Sequence, residues 1–224
     1  MQFFKNKKAD NRQKLNAVLA KIELLAQSDD IRNHKTIFYI IKIYADYINS
    51  LTNTKLLQGE KTDSILNDMV LTNDSYPFTL NHSYNIELGR FPIVTTIWNE
   101  NSQIRTLAQV GNNDNEWKEK PINHYYKLFL PVGLIVVYNG NHSINSGIIK
   151  ASGFLEIYPN KPNLSVYDIS PLYHKIYFNG DIYIEKSTNR KICETEFEYG
   201  CMFEIGRIMN KYNISFLNLF SEND

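Results

Sequence analysis

The sequence predicts an α+β protein in which an N-terminal helical hairpin is followed by a small mixed β-sheet with packed helices. Before residue 73, apolar residues recur every three or four positions, which is the spacing of amphipathic helices. After residue 73, β-branched and aromatic runs alternate with Pro and Gly, which is typical of strands and turns. We therefore divide the chain into a helical region, 1–73, and an α+β domain, 74–224. A hydrophobic fraction of 43% over 224 residues is enough for a buried core.

Helices account for most of the first region. An Asp near each start is a good N-cap, because its carboxylate accepts from the unpaired N–H groups of the first turn. The predicted helices are 9–28, capped by Asp10; 29–50, capped by Asp29 or Asp30; and 62–71. The first two form the hairpin. Its apolar surface can pack on the sheet or on a second copy of the chain.

Strands dominate the second region. The predicted strands are 91–98 ("FPIVTTIW"), 104–110 ("IRTLAQV"), 125–130, 133–139 and 154–158. An alternative prediction is a single strand over 125–139 that is interrupted at Pro131-Val132-Gly133. Asn179-Gly180 lies between two alternating apolar runs and predicts a β-hairpin over 175–186. A final helix is expected over 197–212, where Gly200 and Gly206 indicate close packing.

Charge and cysteine content limit the class of protein. Lys plus Arg and Asp plus Glu both number 24, so there is no basic excess of the kind that non-specific duplex binding requires. Cys193 and Cys201 do not have zinc-knuckle spacing, and no metal site is expected. The N-terminus carries no signal peptide pattern, and no apolar run approaches 18 residues, so we expect a cytoplasmic protein without a membrane span. Residues with AT-rich codons are abundant, which is typical of low-GC bacterial or phage genomes.

The stretch "LIVVYNGNHSINSGIIKASG", 134–153, is the strongest site candidate. A buried strand ends in a small polar turn, and a helix is expected from about Ser143 to Ala151. Gly140 allows a close backbone approach, and Asn141 and Ser143 are suitable N-caps. The N–H groups of a helix N-terminus attract anions such as phosphate. The alternative interpretation is that His142 has a structural role only and caps its own helix.

The same stretch is similar to the strand, turn and helix of the ParB and sulfiredoxin-like superfamily. "ELGRFPIV", 87–94, resembles the strand that opens that domain, and the resemblance extends over 86–158. It implies a phosphate cradle of Gly140, Asn141, Ser143 and Ser146. It further implies Arg90 as a phosphate contact and His142 as the acid–base or phosphate group. Ser143 stands where family members carry Arg. Asn141 stands where sulfiredoxins carry the nucleophilic Cys, which excludes sulfinic-acid repair.

Two functions follow as hypotheses. The first is a ParB-like protein that binds a nucleotide or nucleic-acid phosphate, with a nucleoside triphosphate and Mg²⁺ as the expected ligand. Hydrolysis, as in an NTPase or nuclease, is left open, as is a role in phage defence. The second is a non-catalytic module that binds another protein, such as a phage or host-defence inhibitor. Neutral charge and the absence of a complete catalytic set in the sequence favour the second hypothesis.

Overall fold

The structure, a computed structural model, describes residues 2–62, 75–110 and 117–220, with side chains from residue 10 onward. The helices are α1 (Gln2–Ala26), α2 (Ile31–Leu57), α3 (Glu100–Gln109), α4 (Asn141–Lys150), α5 (Leu172–Lys175), α6 (Phe197–Lys211) and α7 (Phe216–Leu219). The strands are β1 (Tyr76–Pro77), β2 (Tyr84–Glu87), β3 (Ile93–Val94), β4 (Tyr125–Leu130), β5 (Leu134–Asn139), β6 (Phe154–Ile157), β7 (Leu164–Asp168), β8 (Ile176–Phe178), β9 (Ile182–Glu185) and β10 (Lys191–Glu194). All but one residue of the helix predicted over 62–71 lie outside the described residues.

The central sheet is mixed, as predicted. Its strand order is β1-β7-β4-β5-β3. Strands β4 and β7, and strands β3 and β5, run parallel, whereas β1 pairs antiparallel with β7 and β4 pairs antiparallel with β5. Strands β10, β9 and β8 form a separate antiparallel sheet, and β2 pairs antiparallel with β6. The α+β fold class is confirmed.

The helical hairpin shares one hydrophobic core with the rest of the protein. Helices α1 and α2 both pack against α6, and α2 also packs against β3 and α7. Ile22 of α1 and Phe38 of α2 are fully buried in the same cluster as Ile205 of α6 and Phe216 of α7. The hairpin therefore packs on the remainder of the chain through its apolar face.

Both hairpin helices are longer than predicted. Helix α1 runs from Gln2, so the prediction of Asp10 as its N-cap was wrong. Asp10 instead forms an i,i+4 ion pair with Lys14 at 2.6 Å. Asp30 does cap α2, because its carboxylate accepts from the backbone N–H of Arg32 at 2.9 Å. Helix α2 continues seven residues past the predicted end at 50.

Only two residues of the predicted strand 91–98 form a ladder. Ile93 and Val94 pair with β5, and the chain then leaves the sheet. The next backbone N–H groups donate to side-chain amides instead: Thr95 N–H to Asn49 Oδ1 at 3.0 Å, and Thr96 N–H to Asn141 Oδ1 at 2.8 Å. Buried N–H groups need a partner, and here two asparagines replace a neighbouring strand.

The predicted strand over 104–110 was wrong, because the segment belongs to α3. Asn99 caps this helix by accepting from the backbone N–H of Ser102 at 2.8 Å. The buried Gln103 side chain turns toward α4, where its amide donates to Ser146 Oγ at 3.3 Å. Capping and tertiary packing override the β propensity of Ile104 and Thr106.

The C-terminal predictions were confirmed. Strands β8 and β9 form the hairpin around Asn179-Gly180. Helix α6 follows the predicted bounds within a residue, and both of its glycines permit close packing. A Cβ at Gly200 would overlap the Phe178 ring, and one at Gly206 would overlap Tyr173 and Val132. Strands β4 and β5 are two antiparallel strands, joined by a turn at residues 131–133.

Candidate functional site

The turn at 139–147 has the strand–turn–helix form that the sequence predicts. Strand β5 ends at Asn139, and α4 begins at Asn141 with Gly140 as its N-cap. The prediction of Asn141 or Ser143 as the N-cap was therefore wrong, because both residues lie inside the first turn of the helix. Gly140 has φ +79°, a left-handed conformation that Gly adopts without strain. A Cβ here would overlap the His124 ring, so the glycine lets a buried histidine approach the turn closely.

Two residues of the predicted phosphate cradle are buried in internal hydrogen bonds. Asn141 accepts from Thr96 N–H, as described above. Ser146 donates from Oγ to the backbone carbonyl of His142 at 2.9 Å, and it accepts from Gln103. These hydrogen bonds connect α4 to the segment after β3, through Thr96, and to α3, through Gln103.

Ser143 contacts a tryptophan. Nε1 of Trp117 donates to the carbonyl oxygen of Ser143 at 3.0 Å and lies 3.1 Å from its Oγ. The Trp117 ring is stacked on His124, with centroids 5.1 Å apart. Trp117 and His124 are therefore a buried, stacked pair that lies against Gly140 at the start of α4.

His142 is half-buried at the edge of this turn. Its Nε2 accepts from the backbone N–H of Asn99 at 3.3 Å, which assigns the ring proton to Nδ1. Burial lowers the pKa of His142, so the imidazole is neutral at pH 7. The ring also makes an edge contact with Trp98, at 4.6 Å between centroids. A catalytic role for His142 stays a prediction.

Arg90 lies at a different place from these turn residues. It forms an exposed ion pair with Glu87, with Nε 3.0 Å from Oε2. Both side chains line a cavity of about 610 Å³ between α2, the segment 85–91 and the C-terminal α7. The volume lies within the range typical of small-molecule sites. None of the turn residues 139–147 lines this cavity.

One face of α2 forms a wall of the cavity. Lys35, Phe38, Tyr39 and Lys42 follow each other at the i, i+3, i+4 and i+7 spacing that brings side chains to one side of a helix. The sequence prediction missed these residues, because it used the periodicity of α2 only to assign a buried face.

The floor of the cavity is aromatic. Phe38 packs 5.4 Å from Phe91 and 4.6 Å from Phe220, and Phe91 lies 5.2 Å from Phe220, measured between ring centroids. Phe38 is fully buried, whereas Phe91 and Phe220 are half-buried and line the space. Half-buried aromatic rings offer a stacking surface for another ring.

Cationic side chains outnumber carboxylates among the described residues that line the cavity. Its lining includes three cationic side chains, Lys35, Lys42 and Arg90, against one carboxylate, Glu87. Lys42 is ion-paired with Asp46, and the Lys35 ammonium lies 5.8 Å above the Phe220 ring. The Glu87 and Asp46 carboxylates are both paired with cations, so these two groups would not hold Mg²⁺ directly, and the ion would be bound through ligand phosphates. In the described part of the chain, no group of three His, Cys, Asp or Glu side chains could hold a metal ion.

The protein therefore has an α+β fold in which the helical hairpin borders a cavity lined by aromatic and cationic side chains. The chain belongs to DUF6710, a family of unknown function, which it matches over residues 1–216. No curated protein and no solved structure matches it. The resemblance of 86–158 to the ParB and sulfiredoxin-like superfamily stays a prediction. In the described ranges, no helix has the length and apolarity needed to cross a bilayer.

Proposed function

We propose that this protein binds a nucleotide through the cavity beside α2. The proposal rests on two kinds of side chain that line the same cavity. Lys35, Lys42 and Arg90 can bind phosphate, and the half-buried aromatic rings can stack on a base. Arg90 is the residue common to the sequence prediction and the cavity. Its guanidinium can bind a phosphate through two parallel N–H groups.

The ion pair between Arg90 and Glu87 does not prevent this use. Arg90 is 74% exposed and Glu87 is 54% exposed, and such surface pairs contribute only about 0–1 kcal/mol. A phosphate can therefore replace the carboxylate as the partner of Arg90 at little cost.

The test is a thermal-shift and calorimetric titration with ATP, CTP and GTP, with and without Mg²⁺. A ligand at about a hundred times its Kd should stabilise the protein by about 2.7 kcal/mol. Arg90→Ala should weaken binding about tenfold or more, because a charge-assisted hydrogen bond is lost. Arg190→Ala is the matched control, since Arg190 is also 74% exposed and is paired with Glu185.

A parallel His142→Ala variant separates the two possible sites. Binding that survives His142→Ala and fails in Arg90→Ala supports the cavity. The opposite pattern would assign the ligand to the turn at 139–147. A melting curve unchanged by every nucleotide would contradict the proposed function.

A second candidate function, association through protein contacts, is favoured by an exposed apolar stripe on α2. Tyr39, Ile43 and Tyr47 recur every four residues and are 50%, 64% and 53% exposed. We take a second copy of the chain as the partner, because a formal net charge of zero leaves no net repulsion between copies. In analytical ultracentrifugation, Ile43→Lys should shift a dimer to monomer, whereas Ile104→Lys on α3 should not. A wild-type protein that is monomeric at all concentrations would contradict this function.

A further inference from the structure

Side chains close the outer edge of β6, one of the two strands in the sheet β2–β6. The backbone N–H of Glu156 donates to Glu119 Oε2 at 3.1 Å. The carbonyl oxygen of Glu156 accepts from the Tyr126 hydroxyl and from the Lys161 ammonium. Lys161 is buried and forms an ion pair with Glu119 at 2.6 Å. These side chains therefore take the place of a neighbouring strand along β6.

The same hydrogen bonds show which backbone groups of β2 point outward. Glu156 lies opposite Asn85 in the register of the two strands, and its own backbone groups point away from β2. In an antiparallel pair, opposed residues either bond to each other or both point outward, and the two kinds of pair alternate. Asn85 and Glu87 therefore direct their backbone N–H and C=O groups away from β6, along the outer edge of β2.

The outer edge of β2 is open, in contrast to that of β6. The Glu87 carbonyl oxygen accepts from the backbone N–H of Arg90 at 3.2 Å. In the described ranges, no partner bonds to the other three outward groups, which are the N–H and C=O of Asn85 and the N–H of Glu87. Both residues are exposed, and both line the cavity beside α2. An edge of this kind can accept an added strand through main-chain hydrogen bonds.

The cavity next to this edge indicates which side chains an added strand would carry. Alternate side chains of a strand point to the same side, so two residues separated by one position can enter the cavity together. The half-buried Phe91 and Phe220 rings offer a surface on which an aromatic side chain can stack. Cationic side chains outnumber carboxylates in the lining, so the complementary charged group is acidic. Arg90 can hold a carboxylate through two parallel N–H groups.

We propose that the protein binds an extended segment of a partner protein, which adds as a strand to β2. An aromatic and an acidic residue of the segment, separated by one position, enter the cavity beside Arg90. The inference goes beyond the proposed function and does not require it, because its main contacts are the backbone groups of Asn85 and Glu87. A bound segment and a bound nucleotide would exclude each other from the cavity.

The first test uses the peptide acetyl-Thr-Phe-Thr-Asp-Thr-amide in isothermal titration calorimetry. Two N-methylated forms are compared with it, one methylated at the Phe and Asp nitrogens and the other at the three Thr nitrogens. Because backbone groups alternate in direction along a strand, only one form has lost the N–H groups that face β2. That form should bind at least tenfold more weakly than the parent peptide, and the other should bind within about threefold of it.

The second test changes the protein. Asn85→Pro removes an outward N–H at an edge position, where proline leaves the ladder with β6 intact. It should weaken binding of the parent peptide at least tenfold, whereas Asn85→Ser keeps the backbone N–H and should bind as wild type. In the peptide, Asp→Asn should weaken binding about fivefold, because the charge that faces Arg90 is lost.

Three results would overturn the inference. They are no binding of the parent peptide to the wild-type protein, equal affinity for the two methylated forms, and full affinity in a folded Asn85→Pro variant. If Asn85→Pro does not fold, as judged by circular dichroism, the methylated peptides decide the question on the wild-type protein. None of these results changes the nucleotide titrations, so failure of strand addition is distinct from failure of the proposed function.

Discussion

At the scale of single residues, Gly140 occupies a position that no residue with a Cβ can take without strain. It combines a positive φ with a close contact to the His124 ring. Gly140→Ala should lower the free energy of unfolding by about 2–4 kcal/mol, since backbone strain and overpacking both contribute. Urea denaturation measures this loss. Gly59→Ala is the matched control, with φ +74° and nothing within 4 Å of an added Cβ, and it should cost about 1 kcal/mol. Equal losses in the two variants would mean that the His124 contact contributes nothing.

His124 makes the stability of the protein depend on pH. Nδ1 accepts from the backbone N–H of Lys120 at 2.9 Å, and within the described residues the buried Nε2 has no partner. Burial lowers the pKa of His124 to about 4, below the value of about 6.5 in the unfolded chain. Between these pH values the unfolded state binds a proton that the folded state does not. Stability is therefore lost as pH falls from about 6.5 to about 4, on the order of 2–3 kcal/mol.

Thermal unfolding of His124→Asn across this pH range tests the assignment. The asparagine Oδ1 can accept from Lys120 in place of Nδ1 and does not titrate. The variant should therefore show a shallower decrease in Tm between pH 6.5 and 4 than the wild-type protein. The exposed His82→Asn should keep the wild-type slope. If His124→Asn and wild type lose stability in parallel, another group is responsible.

The residues of the candidate site were only partly predictable, because helical periodicity shows which residues share a face but not what faces them. The sequence predicted Arg90 and the turn around Gly140 as phosphate contacts, and this role stays a prediction. It did not identify Lys35 or Lys42, because their cavity is closed by Phe220, far away in the chain. The hydrogen bonds of Asn141 with Thr96 and of Ser146 with Gln103 were also not predictable, since these partners lie more than 40 residues away.

At the scale of elements, local signals predicted the hairpin β8–β9 and helix α6, whereas long-range contacts decided α3 and the short β3. Asn-Gly turns and amphipathic periodicity depend on neighbouring residues in the chain. The end of β3, in contrast, depends on two amides supplied by α2 and α4. An isolated strand pattern such as "FPIVTTIW" contains no information about those partners.

Helix α6 is joined to the second sheet by one arginine. Arg207 forms an ion pair with Glu204 at 2.6 Å and donates to the carbonyl oxygens of Ile176 and Tyr173. Glu204 in turn accepts from the backbone N–H of Phe178 at 2.8 Å. Arg207→Met should lower the free energy of unfolding by about 3 kcal/mol, because it leaves the buried Glu204 carboxylate without its cation.

Guanidinium denaturation of Arg207→Met, compared with Arg190→Met, checks this expectation. Arg190 is exposed and lies 3.5 Å from Glu185, so its loss should cost under about 1 kcal/mol. The Arg207→Met, Glu204→Leu double variant should recover part of the stability, because it removes the unpaired carboxylate as well. Similar losses for the two single variants would show that the Arg207 contacts are not energetically important.

At the scale of the whole molecule, we expect the helical hairpin and the sheets to unfold as one cooperative unit. Glu23 of α1 binds Lys211 and Tyr212 at the end of α6, and the cores of both regions are continuous. Differential scanning calorimetry should give one transition whose calorimetric and van't Hoff enthalpies agree. The boundary between 1–73 and 74–224 would then mark a change of secondary structure only. Two separate transitions would establish it as a boundary between folding units.

Binding of the proposed ligand above the aromatic rings beside Arg90 would also change the lifetime of the protein in the cell. Phe38 belongs to the buried core, and Phe91 and Phe220 pack against that core, so the cavity exists only when the chain is folded. A small molecule bound there lowers the population of opened chains by mass action. Proteases degrade opened chains, so the abundance of the protein would rise and fall with the concentration of that molecule.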